Sequence, residues 1–251
     1  MEQISKTQIQ TLLDQLRKRS QQSDQHQPIF ECAKCQDRGY TFESENGYSC
    51  VKDCICKLEK IRRKRLAVIP PKFQSAELSK LTPDTNRHPL QAQIIPTIKN
   101  FSDKNFYFGG KFGTGKTLFL WTLYKAAVMR DAQRIIVCTL SELLNDFKQF
   151  IQASADGTEK KYPRLSADDL RQTHTRFSIF LDDIDKARPT EYAAEQVFEI
   201  ADAIYTHNHQ LVLTTNLSVT DLKIHFEKAD DRYGGAIVRR FTDGAKIYEM
   251  F

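Results

Sequence analysis

The stretch FGGKFGTGKTLFLW, from Phe108 to Trp121, decides the fold of this chain. Its residues 110–117 match the pattern G-x-x-x-x-G-K-[ST], between an apolar strand pattern and a helical pattern. Glycines let successive backbone N–H groups face phosphate oxygens, and the start of the following helix adds its positive end. The stretch therefore predicts a phosphate-binding loop, because a glycine-rich turn without this task would not need the Lys-Thr pair.

The eight loop residues are predicted to bind the nucleotide: Gly110, Lys111, Phe112, Gly113, Thr114, Gly115, Lys116 and Thr117. Lys116 supplies a point charge to the β- and γ-phosphates. The Thr117 hydroxyl is suited to ligate Mg²⁺. We therefore expect ATP and Mg²⁺ as cofactors.

A pair of carboxylates follows the apolar run of residues 179–181. At the end of a strand beside the phosphate loop, Asp182 would hold Mg²⁺ through water. Asp183 would orient and activate the attacking water. Asp185, two residues further on, is expected to be an exposed turn residue.

A polar cluster, residues 214–216, ends the next strand pattern. We expect it to lie near the γ-phosphate, where Asn216 would hold the water that attacks. The alternative is a helix N-cap for the helical pattern that follows, and this alternative applies to Thr215 more than to Asn216.

Strand and helix patterns alternate from residue 87 onward. The predicted strands are residues 105–110, 134–140, 177–183, 210–216 and 245–250, and the predicted helices include residues 117–130 and 191–208. Thr139 and Glu142 have the spacing of a capping box at the start of a further helix. Such alternation predicts an α/β fold with a five-stranded parallel sheet that is covered on both faces.

Five of the six cysteines fall between Cys32 and Cys56. Their density, with a C-x2-C pair and a C-x-C pair, is typical of a zinc site. The favoured ligands are Cys32, Cys35, Cys54 and Cys56, and Cys50 is a rival for either of the last two. An iron–sulfur cluster is the alternative metal centre, and Cys138 is expected to be a buried small hydrophobe.

Composition limits the classes of partner and the cellular location that we expect for this chain. The chain has 251 residues, of which 40% are hydrophobic and 27% charged, and its net charge of +5 permits a nucleic-acid partner without requiring one. No apolar run is long enough to span a bilayer, and the amino terminus lacks a signal core, so we expect a cytoplasmic protein with reduced thiols and no membrane partner. An amphipathic helix is predicted over residues 4–20. We place the domain boundary near residue 66, with an amino-terminal helix and zinc module over 1–66 and the ATPase domain over 67–251.

In this order, GKFGTGKT, IFLDD, LTTN and VRRFTDG resemble the motifs of an AAA+ ATPase. Residues 67–251 look like the helicase loaders of the DnaC/DnaI type and their IstB-type transposition relatives. The resemblance implies a weak ATPase that loads a hexameric DnaB-type replicative helicase onto single-stranded DNA during replication. It implies self-association through the ATPase domain, in which Arg240 reaches the γ-phosphate held by a neighbouring subunit. The short segment after VRRFTDG leads us to expect no carboxy-terminal helical lid, as in this group.

Residues 141–176 are longer than a plain crossover requires and carry Lys148, Lys160, Lys161, Arg164 and Arg171. In related initiators and loaders this region binds single-stranded DNA, and a solvated charged face is the alternative. The basic run over residues 57–65 has the same two interpretations.

Three other functions remain as alternatives. An IstB-like transposition ATPase would remodel DNA for a transposase, although the cysteine segment disfavours it. A small-molecule P-loop kinase would require an arginine-bearing lid, and LTTN with RRF argues against it. A non-enzymatic zinc adaptor would use ATP only to stabilise its fold.

Overall fold

The computed structural model describes residues 30–45, 47–102, 104–156 and 162–251. It divides the chain into two compact units, Met1–Glu59 and Lys60–Phe251. The division lies earlier in the chain than the boundary expected near residue 66, and the assignment of functions to residues 1–66 and 67–251 stays a prediction. The helix predicted over residues 4–20 lies outside the described residues.

The first unit contains a hairpin of two antiparallel strands, β1 (Tyr40–Glu45) and β2 (Tyr48–Asp53). Helix α1 (Ile55–Ala67) begins directly after it. Phe42 and Val51 face each other across the hairpin and are both exposed, whereas the buried apolar side chains among this unit's described residues are Cys35 and Cys54. With so little apolar burial among these residues, we expect the described part of the unit to depend on its cysteines for stability.

The second unit is built on a five-stranded parallel sheet with the strand order β4-β5-β6-β3-β7. Its strands are β3 (Asn105–Gly110), β4 (Ile135–Thr139), β5 (Ser178–Asp182), β6 (Gln210–Thr215) and β7 (Ala245–Met250). The α/β fold with a five-stranded parallel sheet is thus confirmed. Its strands lie within a residue of their predicted ends.

Helices connect the strands. They are α2 (Gln91–Lys99), α3 (Lys116–Arg130), α4 (Leu140–Asp156), α5 (Ala167–Gln172), α6 (Glu191–Thr206), α7 (Val219–Glu227) and α8 (Asp231–Thr242), and a short 3-10 turn covers Pro71–Phe73. The capping box of α4 is present, since the Thr139 amide donates to Glu142 Oε2 at 2.8 Å and the Glu142 amide donates to Thr139 Oγ1 at 3.2 Å. None of the helices in the described part of the chain is long and apolar enough to cross a membrane.

The sheet separates two apolar cores. Successive side chains of a strand point to opposite faces, so Phe106 and Phe108 of β3 belong to one core and Tyr107 to the other. Cys138 is buried in the second of these, as predicted, and burial raises the pKa of its thiol to about 12. Because the parallel strands all end at one edge, the loops after β3, β5 and β6 meet there.

Candidate nucleotide and metal sites

The phosphate loop connects β3 to α3 and contains left-handed backbone at three glycines. Gly113 and Gly115 have φ values of 83° and 107°, which glycine adopts without a steric penalty. At Gly110 a Cβ atom would lie 2.2 Å from the Met250 carbonyl oxygen. The Lys111 amide donates to that same oxygen at 2.8 Å. The end of β7 therefore fixes the start of the loop.

A second support of the loop comes from Gln91, at the start of α2. Its Nε2 donates to the Thr114 carbonyl at 2.8 Å, and its Oε1 accepts from the Asp84 amide at 2.9 Å. The side chain is buried, and a Cβ on Gly115 would lie 2.9 Å from it. No motif in the sequence marks Gln91, because its partner in the loop is 23 residues away.

Lys116 lies at the centre of the loop and is 6% exposed. Its Nζ donates to the carbonyl oxygens of Gly110 and Lys111 at 2.7 and 2.8 Å. Burial lowers the pKa of Lys116, and the carboxylates of Asp183 and its neighbours oppose this effect. The loop thus holds a desolvated cation at the position where the pattern predicts a phosphate contact.

Thr117 and Asp182, the two residues predicted to hold Mg²⁺, lie together, and Thr117 is hydrogen-bonded to the Asp182 carboxylate. A second hydroxyl, that of Thr214, also contacts Asp182. Thr214 Oγ1 donates to Asp182 Oδ1 at 2.5 Å and accepts from the Asp183 amide at 2.9 Å. Burial raises the pKa of Asp182, while hydrogen bonds from Thr214 and Thr117 act in the opposite direction. A hydroxyl beside a carboxylate at the end of the loop offers the hard oxygen ligands that suit Mg²⁺. When bound, the metal would neutralise charge on the phosphates.

Asp183 and Asn216 lie beside Lys116 in one cleft of about 410 Å³. Among the described residues that line it, four are basic and one is a carboxylate: Lys72, Arg87, Lys116 and Lys186 against Asp183. Asp183 is in the left-handed region, with φ of 54°, and its carboxylate accepts from Lys186 Nζ at 2.5 Å. An excess of positive charge at the start of a helix suits a polyphosphate.

Asp185 lies in a turn, as expected, but the expectation that it is exposed was wrong. Asp185 is only partly exposed. Its carboxylate accepts hydrogen bonds from the Thr215 hydroxyl and the Asn216 backbone amide, each at 2.8 Å, and from the side-chain Nδ2 of Asn216 at 3.0 Å. Burial opposes its charge, but these hydrogen bonds outweigh burial and lower its pKa. No local pattern indicates this contact, since the partners are about 30 residues apart.

The N-cap alternative for residues 214–216 does not hold. Ser218 caps α7, and its Oγ accepts from the Asp221 amide at 3.0 Å. Thr215 and Asn216 are instead bound to Asp185. Of the two, Asn216 lines the cleft, whereas Thr215 is buried.

Arg240 lies outside the cleft, on α8. Its Nε donates to Asp202 Oδ1 at 2.7 Å, and its guanidinium lies 4.7 Å from the centre of the Phe198 ring. The side chain is 25% exposed, whereas Arg239 is exposed to solvent. Within one chain Arg240 is thus bound to its own subunit, and its role toward a neighbouring subunit stays a prediction.

The basic residues between β4 and β5 are partly neutralised by acids of the same chain. Arg164 donates to Asp146 Oδ2 at 2.6 Å, and Arg171 pairs with Glu199. Lys148 is exposed on α4, and residues 157–161, which contain Lys160 and Lys161, lie outside the described part. The DNA-binding interpretation of this region stays a prediction that rests on fewer free charges than the sequence suggested.

The four favoured cysteines of the first unit converge. The Sγ atoms of Cys32, Cys35, Cys54 and Cys56 all lie within 4.8 Å of one another. Cys50 is not among them, because it lies within β2, whereas Cys54 follows that strand and Cys56 is in the first turn of α1. The group has the soft thiolate composition that suits Zn²⁺.

Hydrogen bonds within the group of four cysteines favour the thiolate form of Cys35. Burial opposes the charge of Cys35, but the Gly39 amide donates to its Sγ at 3.4 Å, and this bond together with the neighbouring thiols lowers the pKa of Cys35 to about 7. The pKa of Cys56 is raised to about 12, chiefly by its hydrogen bond to Cys35. Because a metal binds the thiolate form, the lowered pKa of Cys35 favours binding, and the convergence of the four sulfur atoms fits a zinc ion.

No protein-family model matches the chain, and no curated protein matches it. Solved structures do. DnaI is similar with a TM-score of 0.56 and 17% identity, over 73% of this chain and 95% of DnaI. The DnaC helicase loader is similar with a TM-score of 0.53 and 19% identity, over 72% of this chain and all of that chain.

A third similar structure is the replication initiator DnaA bound to AMPPCP and single-stranded DNA, with a TM-score of 0.50 and 16% identity over 73% of this chain. The match spans about half the length of that DnaA chain, at 51%. At identities this low, the similarity establishes the fold. The chain has the fold of DnaI and the DnaC helicase loader, and this is the fold that the resemblance of its motifs predicted.

Proposed function

We propose that this chain is an ATP-dependent loader of a hexameric replicative helicase onto single-stranded DNA. The ATP-binding part of the proposal is supported by one cleft, which is lined by Lys116, Thr117, Asp183 and Asn216. Asp182 is hydrogen-bonded to Thr117 and to Thr214. Catalysis of phosphoryl transfer consists largely of positioning and charge stabilisation, and this cleft has the groups for both. Asp183 is the group for orienting and activating the attacking water.

The loader part is supported by the extent of the fold similarity. The chain covers nearly all of DnaI and all of the DnaC helicase loader, whereas it covers half of DnaA. The unit with the four cysteines precedes the NTPase fold, and we assign it to contact with a DnaB-type helicase. The NTPase unit would self-associate and contact DNA.

The loading assay tests the whole proposal. The full-length chain, the replicative helicase of the same cell and ATP are added to a circular single strand coated with single-strand binding protein, and unwinding of an annealed oligonucleotide is measured. We expect unwinding to require the chain and ATP together, and to be lost with Lys116→Ala. Unwinding that is unchanged without the chain, or activity only with a transposase and duplex DNA, would contradict the loader function.

A mixing experiment tests the proposed contact of Arg240 with a neighbouring subunit. Charge builds on the γ-phosphoryl oxygens during transfer, and a planar guanidinium contacts two of them at once. Arg240→Ala should therefore bind ATP normally and hydrolyse it at least about 100-fold more slowly, since such arginines accelerate hydrolysis roughly 10³–10⁵-fold. A mixture of Arg240→Ala and Lys116→Ala chains should regain turnover. In the mixture, Arg240 of a Lys116→Ala chain faces the intact nucleotide site of an Arg240→Ala chain.

Arg239→Ala is the matched control, since Arg239 is the adjacent arginine on α8 and has an exposed side chain. In the assembled, DNA-bound state it should hydrolyse ATP at a rate close to that of the unmodified chain. If Arg239→Ala is the slow variant and Arg240→Ala is not, the assignment of Arg240 is wrong. In that case the bond of Arg240 to Asp202 would have a structural role only.

A further inference from the structure

Asp185 is a residue at this site that the motifs did not mark, and it accepts hydrogen bonds from both the backbone and the side-chain nitrogen of Asn216. The Asn216 backbone amide donates to Asp185 Oδ1 at 2.8 Å, and the side-chain nitrogen donates to Oδ2 at 3.0 Å. The Thr215 hydroxyl donates to Oδ1 at 2.8 Å. One carboxylate thus holds both the backbone and the side chain at the end of β6.

The chemistry of these groups determines which way the Asn216 amide faces. The oxygen and nitrogen of an asparagine amide are alike in shape, so its orientation follows from its partners. A carboxylate accepts hydrogen bonds and does not donate them, so the nitrogen must face Asp185. The carbonyl oxygen Oδ1 is then the acceptor that Asn216 offers to the cleft, which it lines with Lys116 and Asp183.

We infer that Asp185 is a positioning residue that fixes the orientation of the Asn216 amide for the hydrolysis of ATP. The inference rests on the proposed ATPase function, because only hydrolysis requires Asn216 to hold a water in line with the γ-phosphate. It adds a role that belongs neither to the phosphate loop nor to the metal-binding pair. Asp185 acts through Asn216 and lines no part of the cleft itself.

Asp185→Asn is the decisive variant because it keeps the size of the side chain and reverses the polarity of one end. If the new amide keeps its oxygen toward Thr215 and the Asn216 backbone, its nitrogen faces the nitrogen of Asn216. Two donors cannot bond, so the Asn216 amide should turn over and present its nitrogen to the cleft. We expect hydrolysis to slow by about 10- to 100-fold, as a misplaced catalytic group does, while the Kd of a fluorescent ATP analogue changes less than about threefold.

The double variant separates positioning from a general structural effect. If Asp185 acts through Asn216, then Asp185→Asn should slow an Asn216→Ala chain no further, because contacting residues of one network do not add. Asp168→Asn is the control for loss of one negative charge, since Asp168 lies on α5 and its side chain is 81% exposed. Additive losses in the double variant would overturn the inference.

A measurement without ATP tests the contact between Asp185 and Asn216 separately from the proposed function. In the unmodified chain labelled with ¹⁵N-asparagine, an Asn216 side-chain proton should exchange with water at least about tenfold more slowly than those of the exposed Asn86. The Asn216 signals are identified by their loss in Asn216→Ala and should move in Asp185→Asn. Fast exchange in the unmodified chain overturns the inference even if the variant fails to fold. Slow exchange in a chain that binds but never hydrolyses ATP would instead contradict the ATPase.

Discussion

Lys116→Ala is expected to abolish ATP binding, with an affinity at least about 100-fold lower, or about 2.7 kcal/mol. Lys116 is the buried cation of the phosphate loop, and its Nζ is already held 2.7 Å from the Gly110 carbonyl. Hydrogen bonds to charged groups contribute about 1.5–3 kcal/mol each, and a phosphate would lose more than one of them. Titration with a fluorescent ATP analogue measures the effect.

Two further variants are compared with Lys116→Ala in the same measurements. Lys246→Ala removes an exposed lysine of β7 and should leave ATP affinity unchanged. Asp183→Asn should retain binding and lose turnover, because Asp183 is assigned to the attacking water and not to the phosphates. Unchanged affinity in Lys116→Ala would refute the nucleotide site, and normal turnover in Asp183→Asn would refute the role of that carboxylate.

Cys35→Ser is expected to remove the metal from the full-length chain and to unfold the first unit. The four thiols lie within 4.8 Å of one another, and the described part of this unit buries little else that is apolar. Binding of structural zinc contributes on the order of 10 kcal/mol in small zinc-dependent domains. Metal analysis of the purified chain should find about one zinc per chain before the substitution and none after it.

Cys50→Ser is the matched control, because Cys50 lies in β2 of the same unit and outside the group of four thiols. The Cys50→Ser chain should keep the zinc. When Co²⁺ replaces zinc in this variant, its spectrum should be that of a tetrahedral thiolate site. Loss of zinc in Cys50→Ser, or its retention in Cys35→Ser, would show that the ligand set is wrong. Iron and inorganic sulfide in the purified chain would instead indicate an iron–sulfur cluster.

Local patterns in the sequence predicted the parts of the molecule that depend on neighbouring residues. Residues 110–117 specify the loop, because the glycines, the lysine and the threonine act within a single turn of chain. The alternation of strands and helices predicted all five strands of the sheet, since buried parallel strands are continuous apolar runs. The Thr139–Glu142 capping box was predicted for the same reason, as its two residues are three apart.

Contacts between distant parts of the chain escaped prediction. Asp185 was expected to be exposed because nothing near it in sequence is its partner, yet it is bonded to Asn216, 31 residues later. Gln91 supports the loop from 23 residues before it. Asp185 meets Asn216 only after β5 and β6 lie side by side, and Gln91 meets Thr114 only after α2 lies beside the loop.

The sequence by itself determined that the chain contains a phosphate loop between a strand and a helix, and a cysteine segment able to bind a metal. Spacing favoured Cys54 and Cys56 as ligands and left Cys50 as a rival for either of them. The tertiary structure decided between them, because Cys50 is held within β2 while Cys54 and Cys56 follow that strand beside Cys35. It likewise decided that Asp185, and not a helix end, binds the residues after β6. The physical reason is the same in both cases: a side chain's partners depend on where its element lies, and neighbouring residues do not determine that position.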